Sequence, residues 1–265
     1  MAHTQAWRIS EHGAPGGAVL AIDFTATGRS DAGFRTLMAQ AGPGRALWET
    51  AAPPPGGEQG MTGLDYLDRW MDALVSAEVE VAAVLGYCAS STFAVALAER
   101  IGERQAAVPV VLFDPALVDG DIVLRDGFHT VVDALAAPLG AQEVERIRGD
   151  GRRALREHAD LVDLNAELTR IYHDAVVAAF ARLKLKPARA EELVAWFRGY
   201  LHYLVAAREV TGAPAPGTVT MIRSNEPGSG FPIEARKLDF DVEHVKLLAD
   251  PDVSRAVADL IGANG

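Results

Sequence analysis

The segment Val79-Glu80-Val81-Ala82-Ala83-Val84-Leu85-Gly86-Tyr87-Cys88-Ala89-Ser90-Ser91-Thr92-Phe93-Ala94-Val95-Ala96-Leu97-Ala98 limits the folds open to this chain more than any other. A short β-branched run ends at Gly86, and an Ala-rich helical pattern begins after Cys88, the only cysteine of the chain. A strand that turns sharply into a helix brings two backbones almost into contact. The residues two before and two after the turn must then be small, as Gly86 and Ser90 are. The pattern is that of a nucleophile elbow, G-x-S-x-G, with Cys88 in place of the serine and Ser90 in place of the second glycine. Such a turn lifts its side chain clear of the sheet, and the N-terminus of the following helix favours a thiolate there. A lone cysteine is also what a small buried hydrophobe looks like, so the order of the later residues carries the decision.

The chain has 265 residues, 49% of them hydrophobic and 23% charged, which suits one generous α/β domain or a core domain with one large insertion. No apolar run approaches the ~20 residues that span a bilayer, and the first residues lack the basic and apolar regions of a signal peptide. A single cysteine excludes an intramolecular disulfide. Together these give the expectation of a cytoplasmic protein without a membrane partner. No Cys/His cluster has zinc spacing, so no metal is expected. The net charge of −11 argues against a general nucleic-acid binder. From Arg146 to Arg198, however, eleven Lys or Arg stand against eight Asp or Glu, a local excess of three positive charges. Most such runs are solvated helix faces.

Along the chain, an edge strand is expected within Ala2–Ser10, a buried strand over Ala18–Phe24, a helix over Ala32–Ala41 and a short strand over Arg45–Thr50. After a Pro/Gly loop from Ala52 to Gly57, Thr62 opens a helix with a capping-box-like start at Thr62-Gly63-Leu64-Asp65. The elbow follows, and then a strand over Ala106–Phe113 that ends at Asp114-Pro115. Alternating helices and buried strands predict a mostly parallel sheet with helices on both faces. From about Val123 to Val210 the pattern is helical, with turn signals near Gly140, Gly149-Asp150-Gly151 and Lys186-Pro187. The sheet resumes over Gly217–Arg223 and Arg236–Asp241, and a last helix covers Asp252–Ile261. The expected division is a first core part over 1–121, a helical insertion over 122–211 and a last core part over 212–265.

An α/β-hydrolase sheet places nucleophile, acid and histidine in that chain order, on loops at the carboxyl edge of its strands. Cys88, Asp114 and His244 fall in that order. Their chemistry is complementary: a thiolate attacks, an imidazole moves protons, and a carboxylate fixes the imidazole's tautomer. Asp114 also fits a simple turn cap before Pro115, and Glu226, after the next strand, is a rival acid. His129, near the start of the helical run, is a further candidate for a pocket, whereas His158, His173 and His202 sit in helical patterns. The oxyanion of a tetrahedral intermediate needs N–H donors. These are expected from the backbone of Ala89, directly after the nucleophile, and of Thr25 or Ala26 in the loop after the first buried strand.

With these residues in view, the chain resembles the thioesterases of polyketide and nonribosomal-peptide assembly lines. The likeness is carried by Leu20–Phe34 with its loop, by Val84–Ala98 with the elbow, and by Val242–Ile261, where Asp241-Val242-Glu243-His244-Val245-Lys246-Leu247-Leu248 looks like their histidine loop and closing helix. The resemblance implies an α/β-hydrolase fold with a helical lid inserted after the acid-bearing strand, and Asp114 at the acid position. It implies a thioesterase-like enzyme of natural-product biosynthesis that hydrolyses, transfers or cyclises an acyl group. It also implies no cofactor of the protein's own: the substrate is a small-molecule thioester, or is carried on the phosphopantetheine of an acyl or peptidyl carrier protein. The basic character of the run from Arg146 to Arg198 gives the expectation that an acidic carrier docks there. Two departures stand out. Cysteine replaces the usual serine, giving a thioester acyl-enzyme, and Thr25-Ala26-Thr27-Gly28-Arg29 lacks the usual Gly-Gly pair. Gly86-Tyr87-Cys88 also looks like the elbow of dienelactone hydrolases, which use a Cys–Asp–His triad, although the ~90-residue helical insertion argues against them. A small ester or lactone hydrolase and a non-catalytic binding protein of the same fold therefore stay open as alternatives.

Overall fold

A computed structural model describes residues 6–10, 14–24, 33–42, 44–54, 56–227 and 230–262. Among these, one sheet contains β1 (Trp7–Ile9), β2 (Ala14–Ile22), β3 (Arg45–Thr50), β4 (Val81–Tyr87), β5 (Val110–Phe113), β6 (Val219–Arg223) and β7 (Arg236–Asp239). Their spatial order is β1-β3-β2-β4-β5-β6-β7. Only β1 runs antiparallel to its neighbour; the other pairings are parallel. The longer helices are α1 (Phe34–Ala41), α2 (Gly63–Ser76), α3 (Ser91–Gly102), α4 (Ala141–Glu157), α5 (Leu161–Leu183), α6 (Pro187–Glu209) and α7 (Pro251–Gly262). This is the α/β-hydrolase fold. The chain leaves β2 toward one edge and returns past it to β4, so the strand order reverses between β2 and β4. In an open parallel sheet the crevice at such a reversal, outside the carboxyl ends of the strands, is where ligands bind.

The chain divides into a helical unit, Pro54–Gly60 with Val118–Ala206, and a sheet unit that holds the other described residues. In the sheet unit, alternate residues of each strand face opposite ways. Ala83, Leu85, Tyr87, Val111 and Phe113 form one buried cluster with Phe34 and Leu37 of α1 and Val253, Val257 and Ile261 of α7. On the other face lie α2 and α3, where Trp70 and Phe93 meet edge-to-face at 5.1 Å and Tyr66 stands 5.7 Å from Phe93. Helix α2 begins where the sequence places it, because Thr62 and Asp65 close a capping box: each side chain accepts the other's backbone N–H.

The helical unit is built from α4, α5, the part of α6 up to Ala206, and a helical stretch from Gly120 to Asp133 that contains a π-helical turn over Val123–His129. Tyr172 of α5 packs on Phe197 of α6 at 4.5 Å, and Asn165 Nδ2 donates to the Leu201 carbonyl at 2.9 Å. The expectation of a turn at Gly149-Asp150-Gly151 is corrected here, since all three residues lie inside α4. A Cβ at Gly151 would stand 2.6 Å from the Phe128 ring and 3.0 Å from Leu124, so this glycine exists for close packing and not for a bend. The Pro54–Gly60 loop also brings a buried carboxylate, Glu58, against α6. That carboxyl group lies 3.6 Å from where a Cβ of Gly199 would be. No helix among the described residues is long and apolar enough to cross a membrane.

Strand β4 and helix α3 approach each other closely at Gly86. A Cβ there would lie 2.6 Å from the Ala94 Cβ and 3.0 Å from the Ser91 Cα. The partners of this glycine are thus Ser91 and Ala94, one residue and one turn beyond the Ser90 that the elbow pattern points to. Backbone cannot yield as a flexible side chain can, so Gly86→Ala should destabilise the protein by about 1–3 kcal/mol or more through overpacking. Thermal melting should show a fall of several degrees; an unchanged midpoint would mean that α3 moves away from β4 freely.

Candidate active site

The β4–β5 register pairs Tyr87 with Phe113, so the next residues, Cys88 and Asp114, leave adjacent parallel strands side by side. Both turn through the left-handed region, with φ of 49° for Cys88 and 41° for Asp114. For residues with a Cβ this costs on the order of 1–3 kcal/mol each, and such residues persist only where the surroundings hold them. Here the surroundings are visible. The N–H of Ala116 donates to the Cys88 carbonyl at 3.3 Å, joining the two exits, and the Asp114 N–H donates to the Ile222 carbonyl at 2.9 Å. A 3-10 turn, Cys88–Ser90, then runs directly into α3.

Asp114 is only 2% exposed. A buried carboxylate must be hydrogen-bonded, and both oxygens of this one are. Oδ1 accepts the N–H of Ser224 at 2.8 Å, and Oδ2 lies 2.7 Å from His244 Nδ1. An ionised carboxylate only accepts hydrogen bonds. It therefore selects the tautomer of His244 with the proton on Nδ1, leaving Nε2 with its lone pair. His244 opens a 3-10 segment, His244–Ala249, and its side chain is about one-third exposed at 32%. Beside this site Arg223, the last residue of β6, holds Asp239 through two hydrogen bonds of 2.6 and 2.8 Å, an exposed pair that steadies the β6–β7 exit.

Of the two carboxylates considered from the sequence, Asp114 is the one bonded to His244. Glu226 is exposed, and its backbone N–H donates to Ser224 Oγ at 3.2 Å. Ala89 is buried in the first turn of the helical segment, where N–H groups have no acceptor within the helix. Thr25 and Ala26 lie outside the described residues. His129 belongs to the helical unit, with its ring 6.1 Å from that of Phe128 and its Nε2 buried without a hydrogen-bond partner. Burial lowers its pKa, and the charges of Arg148 and Arg152 lower it further. Among the described residues no three His, Cys, Asp or Glu side chains gather so as to hold a metal ion. Tyr87 also reaches the site: its hydroxyl donates to the His244 carbonyl at 3.0 Å. A tyrosine among strand hydrophobes gives no local sign of such a contact.

No family model matches the chain, and no curated protein matches it. Solved structures do. A four-domain nonribosomal peptide synthetase bound to AMP and glycine aligns with a TM-score of 0.60 at 12% identity over 98% of this chain. The chain spans only about a fifth of that synthetase's length, 20%. The Vlm2 thioesterase domain carrying 2,3-diaminopropionic acid and a dodecadepsipeptide aligns with a TM-score of 0.54 at 16% identity, over 99% of this chain and 98% of that one. At such identities the likeness is one of fold.

The environment of His129 has a consequence for the helical unit. In the unfolded chain its imidazole titrates near 6.5; folded, it titrates lower. As pH falls through 6.5 the unfolded chain takes the proton first, so the folded state loses stability on the acid side and is unaffected above that point. His129→Gln should therefore show a smaller drop in melting midpoint between pH 7 and pH 5 than the wild type. Equal drops would mean that the ring accepts a proton in place.

Proposed function

We propose that this chain is a thioesterase-like acyl-processing enzyme in which Cys88 is the nucleophile, His244 the general base and acid, and Asp114 the residue that orients His244. The observation that carries the reading is the 2.7 Å contact between the buried Asp114 carboxylate and His244 Nδ1, formed beside a cysteine held at a left-handed strand-to-helix turn. The fold shared with the Vlm2 thioesterase domain supports it.

In this mechanism His244 Nε2 takes the Cys88 proton, and the sulfur attacks the carbonyl carbon of a substrate thioester. The carbonyl π electrons move onto oxygen, and the N–H of Ala89 stabilises the oxyanion. Thr25 and Ala26 are the proposed source of the second donor. Collapse breaks the bond to the departing sulfur, which leaves as a thiol with the proton from His244. A Cys88 thioester remains. Water, an amine or an internal hydroxyl then attacks it, with His244 removing the acceptor's proton and returning it to Cys88. A thioester is more reactive toward an amine or an internal hydroxyl than the oxoester a serine would form, so cysteine at this turn suits transfer or ring closure as well as hydrolysis.

The proposed substrate is an acyl or peptidyl group on the phosphopantetheine arm of a carrier protein, with a small-molecule thioester as the simpler version. An acidic carrier would meet α4, where the arginines are partly offset by their own neighbours. Arg146 and Arg153 reach Asp150 at 2.9 and 2.8 Å, and Arg152 reaches Glu145 at 2.6 Å.

Incubating the protein with a panel of acyl thioesters and reading its intact mass tests the reading. The wild type should gain the acyl mass and Cys88→Ala should not. No adduct and no substrate loss across the panel would sink the enzyme reading in favour of a binding protein. Asp114→Asn should keep the fold yet lower turnover on the order of 10³-fold or more, because the amide no longer fixes the reactive tautomer. Changing Arg152, Arg153 and Arg156 together to Glu should raise KM severalfold for a carrier-bound substrate and leave a small thioester unaffected. Equal turnover of both would remove α4 as the docking face.

A further inference from the structure

Tyr87 has no part in the chemistry set out above, yet it touches the histidine in two ways. Its side chain belongs to the buried cluster between the sheet and helices α1 and α7, and it is 5% exposed. Phenylalanine would fill that space equally well. What the hydroxyl adds is the 3.0 Å hydrogen bond to the main-chain carbonyl of His244. The Tyr87 ring also lies against the imidazole, with centroids 4.9 Å apart and planes inclined by 39°.

We propose that Tyr87 is a positioning residue for His244, fixing where Nε2 stands relative to Cys88. The Asp114 contact holds the imidazole at Nδ1 alone, and a ring held at one atom can still swing about that bond. The Tyr87 hydrogen bond anchors the backbone from which the imidazole hangs, and the tyrosine ring blocks rotation on one side. The two anchors come from the ends of neighbouring strands, Tyr87 from β4 and Asp114 from just beyond β5. Tyr87 is joined to Cys88 by one peptide bond. The sulfur and the imidazole are therefore referred to the same strand end, and a small displacement of β4 moves both together. Geometry of this kind matters because an ångström of misplacement can cost about 10²-fold in rate.

The inference rests on the Cys88–His244 pairing proposed above, so the experiment separates the two. The pH dependence of Cys88 alkylation by iodoacetamide is measured for the wild type, Tyr87→Phe and His244→Ala, together with melting midpoints. For Tyr87→Phe the expected result is a melting midpoint close to the wild type's and a shifted midpoint of the alkylation profile. With any turned-over thioester, kcat should fall about tenfold at unchanged KM, as a displacement of Nε2 by less than an ångström would give. As a second readout, the Nδ1 proton of His244 in ¹⁵N-histidine-labelled protein should exchange faster with water in Tyr87→Phe. A wild-type profile and exchange rate in Tyr87→Phe, with an altered profile in His244→Ala, would overturn the positioning role alone. A wild-type profile in His244→Ala would overturn the pairing, and the role of Tyr87 with it.

Discussion

A buried carboxylate organises the carboxyl edge of this sheet. Asp114 is almost wholly removed from water, and removing a charge from water is costly unless its oxygens are hydrogen-bonded. Its partners come from far along the chain: the Ser224 N–H just past β6 and the imidazole of His244 beyond β7. Three segments that share no sequence neighbourhood are thus held at one point. If either partner is taken away, the other segment stays tied, but a buried oxygen is left unsatisfied, which is more expensive than the bond itself is favourable.

The edge can be this crowded because the sheet beneath it is regular. Parallel register brings Ile22 beside Gly86, Tyr87 beside Phe113, and Phe113 beside Ile222, so the strands end almost in line. The residues that follow must then either continue the sheet or turn away sharply. Cys88 and Asp114 turn, at positive φ, and their strain is offset by the hydrogen bonds that join their exits. Gly86 allows α3 to start at once, close against β4, so the helix N-terminus lies at the same edge as the thiol.

Local chemistry was readable in advance. The β-branched run, Gly86 and the Ala-rich stretch announce the strand–turn–helix joint, and Thr62 with Asp65 announces a helix start, because in each case the cause lies within a few residues. The chain order of Cys88, Asp114 and His244 was readable too, and the Asp114–His244 hydrogen bond is the part of it that geometry displays. What could not be read depends on distant neighbours. Gly149 and Gly151 have the composition of a turn, but Gly151 is small because Phe128 and Leu124 press on α4. Tyr87 carries no mark of its bond to a residue 157 positions later. Nor does the proline-rich loop before Thr62 show that Glu58 will be buried against Gly199.

That loop has an implication for the order in which the molecule is made. The helical unit is discontinuous: it takes Pro54–Gly60 from one place in the chain and Val118–Ala206 from another. On a ribosome adding ~5–20 residues per second, Glu58 emerges on the order of ten seconds before the stretch around Gly199 exists. During that interval the elbow strand has been made, while Glu58 has no α6 to settle on. The helical unit therefore cannot mature as a self-contained appendage, and a transplant of Val118–Ala206 into another scaffold would have to bring the distant seven-residue piece as well.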